Sequence, residues 1–454
     1  MTTAAAPRIT ALSWTSWRIV LLLMATCFFA HFNRIGIQVA GDNWIMGEYG
    51  ITPTAMGIVY SSFIVTYTLL MIPGGWLIDR KGPKFCLLAV GFSSALFVVS
   101  TGLVGLAVAS STAAYIAFII IRGSMGLVSA PLHPAAARAV SLGIPFYQRS
   151  AANGLVTGAA LFGIASTYVL FFFMIKWLGW PIAFISSGIA TAIVAVLWNK
   201  YATSDLEQVS ATAVSPDEFS AKPDAPMSGG VRAFLQRNKN LLLLASSYAA
   251  VGYFQYLFFY WIPHYFAKVL QFEEMAAQFS SAIPSVAMAI GMALGGVISD
   301  RVLVMFGWRA ARAGLAIVSM LTSAALLLVG IYATENPFWI VTWLSLALGV
   351  LGLVEGSFWV TAVEVGGARG GLSAGIFNTG GNLGGLLAPI ITPWVSTTLG
   401  YGWPAAIAIG SIVCVAGAVA WIWIDDPSSQ TSKFYSSTTM SPASLSLASA
   451  TSNI

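Results

Sequence analysis

Four polar side chains interrupt an apolar run near the start of the chain. Residues 19–30 read IVLLLMATCFFA and residues 31–42 continue as HFNRIGIQVAGD. His31, Arg34 and Gln38 fall at i, i+3 and i+7, so on a helix they share one face. An arginine at the bilayer centre costs about 2.5–3.5 kcal/mol on insertion scales, so something must compensate it. A guanidinium grips a carboxylate through two parallel hydrogen bonds, and a bound carboxylate is one such compensation. A helix-end carbonyl or Glu355 is another.

Other side chains fit the same chemistry. Arg122 lies in a second apolar run, and two intramembrane cations with few acids nearby make an anion-attracting cavity. The Tyr67 hydroxyl is placed to donate to the same carboxylate. Asn378 and Asn382 are spaced i, i+4 on one helical face, placed to bond substrate hydroxyls or another helix. Gln255, Tyr256 and Tyr260, within YFQYLFFYW (253–261), and Trp359 are candidate cavity walls, with a lipid-facing belt as the other reading.

The elements that must position these residues are membrane helices. Of the 454 residues 57% are hydrophobic and only 8% charged, against about 25% charged in a soluble domain. The mean hydropathy is +0.81. Twelve candidate spans follow: 18–40, 54–78, 84–108, 113–135, 152–173, 180–199, 240–265, 276–299, 311–331, 337–361, 371–395 and 403–424. The first run is too long for a signal h-region and reads as a retained helix. The predicted organisation is a cytoplasmic N-terminus (1–17), a six-helix bundle (18–199), a cytoplasmic linker (200–239), a second bundle (240–424) and a disordered cytoplasmic tail (425–454).

With the N-terminus in the cytoplasm, 17 of the 21 Lys and Arg residues fall inside. Only Lys176 and Lys268 fall outside, and Arg34 and Arg122 lie within the membrane. The basic pI is thus a matter of topology, not nucleic-acid binding. A monomer in the inner, or plasma, membrane is expected. No Walker A loop, HExxH, G-x-S-x-G or His/Cys metal cluster occurs, so neither an enzyme, an ATP-driven pump nor a cofactor is expected. The glycines of NTGGNLGG follow no strand, which argues against a dinucleotide fingerprint.

The halves echo each other. GGWLIDR (74–80) and GGVISDR (295–301) are 221 residues apart, and the same offset maps Gly154 onto Gly375 and Gly163 onto Gly384. Two homologous bundles with a site between them near the midplane are implied. GGWLIDRKGPK, carrying Gly75, Asp79, Arg80, Gly82 and Lys84, resembles the signature loop of the major facilitator superfamily, and Asp300 and Arg301 belong to its degraded copy. In that family the loop latches one face shut. Here Asp79 is positioned to cap a neighbouring helix or to pair with an arginine.

A narrower resemblance covers nearly the whole chain. NRIGIQVA, RGSMGLVSAPLHPAAAR, YWIPHYF, FWVTAVEVGG and FNTGGNLGGLLAPIITPWV, in that order, are similar to the anion:cation symporter family. The resemblance implies an all-α major facilitator fold that moves sugar acids or related organic anions by alternating access, coupled to a cation. The family's acidic residues are replaced: Asn33 precedes the helix 1 arginine, and Ser129 stands seven residues after Arg122. The coupling ion, proton or sodium, stays open, and Glu355, His133 and Glu364 are the remaining candidates. Coupling matters because one charge moving through 100 mV takes about 2.3 kcal/mol. Exchange or export of another solute, such as an organophosphate, is the alternative, with a non-transporting sensor behind it.

Overall fold

The computed structural model describes residues 12–212 and 230–426. The predicted linker's central part, the first residues of the N-terminal segment and nearly all of the predicted disordered tail lie outside them. Every regular element described is helical. Nine helical stretches among these residues are long and apolar enough to cross a membrane, or ten with one bent pair counted as a span. Two of the nine, Phe279–Tyr332 and Pro337–Thr398, run to 54 and 62 residues, each enough for two crossings of about 20 residues. Both turn back at a glycine in the left-handed region, Gly307 (φ 80°) and Gly367 (φ 54°). Twelve crossings result.

Span 1 is Trp14–Ala40; span 2 is Pro53–Leu69 with Met71–Lys81; span 3 is Pro83–Ala107. Span 4 is Ser111–Ser129 with Leu132–Gly143, span 5 starts with Arg149–Ser166, and span 6 is Trp180–Thr212. Spans 7, 8 and 9 are Lys239–Tyr260, Glu274–Arg309 and Leu315–Tyr332. Span 10 is Pro337–Gly352 with Glu355–Gly366, span 11 is Gly370–Pro393 and span 12 is Gly402–Ala420. Helix 6 therefore continues past residue 199, where the sequence reading began the linker. Nothing in ATSDLEQ breaks a helix, so the chain keeps its hydrogen bonding beyond the apolar stretch.

Packing repeats in the two halves. Span 1 packs on 5 and 6, 2 on 4, and 3 on 4 and 6; span 7 packs on 11 and 12, 8 on 10, and 9 on 10 and 12. The halves meet through span 2 against 11 and span 5 against 8. These two contacts exchange under the same pseudo-symmetry. Large apolar side chains such as Leu96 (61% exposed), Ile120 (61%) and Ile412 (70%) point outward, which suits lipid rather than water.

Three spans are discontinuous at interior depth. Span 2 bends by 51° at Leu70, because Pro73 has no N–H for the Leu69 carbonyl. Span 4 breaks at Ala130–Pro131 and span 10 at Leu353–Val354. Pro131 and Gly352 are related by the 221-residue offset, so both halves interrupt the same helix at the same depth. Broken helices near the midplane let a membrane helix present polar groups at interior depth.

Candidate functional site

Arg34 sits where the halves converge. Its guanidinium lies over the ring of Phe63, 4.8 Å from the centroid, and 5.3 Å from that of Tyr67. From the second half, Tyr256 and Tyr260 stand close to it. Tyr67 in turn faces Asn378 of span 11. Asn382 lies one turn on; its amide donates to the Asn378 carbonyl at 2.9 Å and approaches Met71 Sδ at 3.6 Å. The Asn378 amide nitrogen is buried, and beyond its approach to Tyr67 it makes no hydrogen bond among the described residues, which leaves it a donor in the cluster. No Asp or Glu forms an ion pair with Arg34 among the described residues. The sequence alternative of an Arg34–Glu355 pair is not realised.

Arg122 stands behind Arg34 rather than beside it. It is buried, lies 4.9 Å from the Phe63 centroid and donates to the Arg34 carbonyl at 3.0 Å. One aromatic ring thus serves two cations. Phe63 was illegible in the sequence, an apolar residue among apolar residues.

Asn33 points away from this cluster. Its amide donates to Thr191 Oγ1 at 2.7 Å, and its carbonyl accepts from the Ser187 hydroxyl, both on span 6. Thr191 already donates its own hydroxyl hydrogen to the Ser187 carbonyl, so it only accepts from Asn33. Asn33→Asp would face oxygen with oxygen. We expect that variant to lose about 1–3 kcal/mol of stability, read as a lower thermal midpoint in detergent. An unchanged midpoint would contradict this account.

His31, expected on the Arg34 face, turns to a second cluster. Its Nδ1 lies 3.0 Å from the Cys27 carbonyl and its Nε2 lies 3.3 Å from Nε2 of His133. The His133 ring stacks on Trp359 at 5.6 Å. The Trp359 indole donates to Glu355 at 2.9 Å, and the Tyr248 hydroxyl donates to the same carboxylate oxygen at 2.6 Å. Trp359 is therefore committed to Glu355. Tyr248 was missed, since nothing in ASSYAAV distinguishes it.

Gln38 is half-buried one turn beyond Arg34. Gln255 is half-buried too, but adjacent helical side chains diverge by 100°, so it does not follow Tyr256 toward Arg34. Glu364 lies apart, toward the end of span 10, accepting from the Trp308 indole at 3.3 Å.

A third arrangement closes the face that carries the basic loops. Asp79, at the end of span 2, accepts from the backbone N–H groups of Gly371 (2.7 Å) and Leu372 (2.8 Å) at the start of span 11. Asp300, at the end of span 8, accepts from Ser150 (3.2 Å) and Ala151 (2.7 Å) at the start of span 5. Each carboxylate satisfies two orphan donors and meets the positive end of a helix dipole. Arg312 braces the second pair, 3.6 Å from Asp300 and bonded to Ser150 and Ser299. Gly75 makes the approach possible: a Cβ there would stand 2.6 Å from the Gly371 carbonyl oxygen. Gly82 supplies the left-handed turn after span 2 (φ 83°). Arg80 is exposed against Trp76, Arg301 is exposed, and Lys84 is half-buried with its carbonyl accepting from Trp198. In each repeat it is therefore the aspartate, not the adjacent arginine, that spans the halves.

Comparison with known proteins agrees with this architecture. The profile of the Major Facilitator Superfamily matches residues 22–389. The chain is 27% identical to the "Probable galactarate/D-glucarate transporter GudP" of Bacillus subtilis, covering 87% of this chain and 89% of that one. It is 26% identical to the "D-galactonate transporter" of Escherichia coli (89% and 94% covered) and 25% identical to the "Probable sulfoacetate transporter SauU" of Cupriavidus necator (88% and 91%). Among solved structures it is similar to the proton:xylose symporter XylE (TM-score 0.70, 14% identity, 90% of this chain and 96% of that one). The Escherichia coli fucose:proton symporter FucP is similar too (TM-score 0.66, 15% identity, 90% and 98%). With its paired bundles, repeated loop and family match, the chain is an integral membrane secondary transporter and belongs to the Major Facilitator Superfamily.

Proposed function

We propose that this transporter carries a small organic anion, a sugar acid or related carboxylate, by alternating access with a co-transported cation. The observation that carries the reading is Arg34. It is an intramembrane cation with no ion-paired acid among the described residues, set between Tyr67 of one half and Tyr256 of the other. A carboxylate completes its hydrogen bonding through two parallel bonds, and the Asn378 amide, beside Tyr67, supplies a donor for a neighbouring oxygen. The three relatives named above, described as transporters of galactarate and D-glucarate, of D-galactonate and of sulfoacetate, favour the same class. The proposed orientation puts the basic face, and both chain ends, in the cytoplasm of a cell whose plasma membrane holds the protein.

The test is a thermal-shift panel on purified protein with D-galactonate, galactarate, sulfoacetate, a neutral hexose and a hexose phosphate. A midpoint rise with one of the acids but not with the neutral sugar is expected, followed by counterflow of that acid in proteoliposomes. Stabilisation by the hexose phosphate alone would replace this reading with organophosphate exchange.

A further inference from the structure

The geometry points to the His31–His133 pair as the proton-binding site of the transport cycle, taking up one proton per anion bound at Arg34. The inference rests on the organic-anion reading above.

The hydrogen bonds define the protons. A carbonyl oxygen only accepts, so the 3.0 Å contact of His31 Nδ1 to the Cys27 carbonyl places a hydrogen on that nitrogen. In neutral His31 the other nitrogen, Nε2, then carries a lone pair. Its neighbour at 3.3 Å, His133 Nε2, must be the donor. That leaves a lone pair on His133 Nδ1, which makes no hydrogen bond among the described residues, on a ring only half-buried. One incoming proton binds there. His133 becomes an imidazolium, and its bond to His31 becomes charge-assisted and stronger. A second proton would set two N–H groups against each other, so the pair holds one.

The surrounding charges link that proton to the anion. Arg34, on the same helix as His31, is the charged neighbour of both imidazoles. With the site empty, a second positive charge beside it in a low-dielectric interior is opposed. A carboxylate seated on Arg34 removes that opposition, and by reciprocity the protonated pair strengthens anion binding. A monoanion and a proton together move no net charge. The penalty of about 2.3 kcal/mol per 100 mV on an uncoupled anion then disappears. From span 10 the facing acid is Glu355; from span 7 it is joined by Tyr248, and from span 2 by Tyr67. Span 11 throughout, and span 5 between Arg149 and Tyr168, contribute no ionisable side chain.

The pair also sits on the seam between the halves. His31 and His133 belong to the first half, and Trp359, on which His133 stacks, belongs to the second. Charging His133 turns this contact into a cation–π pair and puts a positive charge one residue from the Glu355 carboxylate. Proton loading thereby acts on the surface across which the halves rock.

The experiment uses the full-length protein in proteoliposomes with labelled D-galactonate, the membrane potential clamped, and a gradient of one pH unit, acidic outside. The wild type should accumulate D-galactonate about tenfold, the limit for one proton per anion. His133→Gln keeps a donor toward His31 but does not titrate; His31→Asn keeps a donor toward Cys27. Both should retain counterflow and lose the accumulation, to within about twofold of no gradient. Glu355→Gln should still accumulate. Accumulation by His133→Gln equal to the wild type, or its loss in Glu355→Gln alone, overturns the proposal. If the wild type neither binds nor exchanges D-galactonate, the substrate reading fails for that acid. The pair is then judged by 15N-histidine spectra of the same protein. One shared protonation step for His31 and His133, abolished by His133→Gln, supports the site; two independent titrations overturn it.

Discussion

Arg34→Ala is expected to abolish measurable uptake, with anion binding weakened at least about 30-fold. Truncating one partner of a buried, hydrogen-bonded charge pair costs about 2–5 kcal/mol, and each 1.4 kcal/mol is about tenfold in affinity. The variant should fold, because the guanidinium rests on the faces of Phe63 and Tyr67 and bridges no ion pair among the described residues. Arg34→Lys separates charge from geometry. It keeps a cation but loses the planar fork, so affinity should fall by about tenfold rather than vanish. Calorimetric titration with the acid identified by thermal shift checks both. Full affinity in Arg34→Ala would remove the central residue of the proposed site. Arg122 makes the contrast. It holds the Arg34 carbonyl at 3.0 Å, so its loss should displace span 1 and lower stability together with affinity.

The second large effect is conformational. Asp79→Asn and Asp300→Asn should each shift the protein toward a state with the basic face open. Each aspartate accepts from two backbone N–H groups of the opposite half. An amide of the same shape offers one acceptor and turns an NH2 against the other donor. Hydrogen bonds to a charged group are worth about 1.5–3 kcal/mol each, so one loss moves the equilibrium by roughly 10- to 150-fold. The two sites belong to different helix pairs, so the double variant should approach the sum of the single shifts. Spin labels at Lys81 and Arg301, both exposed and on opposite halves, report the separation once the three buried cysteines are replaced. A longer distance in the variants is expected, with slower net uptake. An unchanged distance distribution would show that the caps do not hold the face shut.

Much of this was legible in the sequence because the bilayer imposes it. Long apolar runs, the bias of basic residues and the 221-residue echo define two six-helix halves without reference to side-chain contacts. The loop after span 2 was legible down to the aspartate. Only the structure chose among its possible partners, since Arg80 points to solvent against Trp76 while Asp79 reaches the backbone of span 11. The broken helices were half legible. Pro131 marks one, whereas the break at Leu353–Val354 has no proline to announce it.

The sequence by itself determined the membrane class, the twelve helices, the repeat and the presence of an intramembrane arginine, because hydropathy and charge act one residue at a time. The directions of the polar side chains were decided only by tertiary structure. Asn33 faces Ser187 and Thr191 of span 6, although its neighbour Arg34 faces the cluster between the halves. His31 meets His133, 102 positions away, and Glu355 is satisfied by Tyr248 and Trp359 rather than by a cation. A helix of one sequence presents every face. Which face carries the function depends on the neighbours that rotate and bend it into place, and those neighbours come from distant segments.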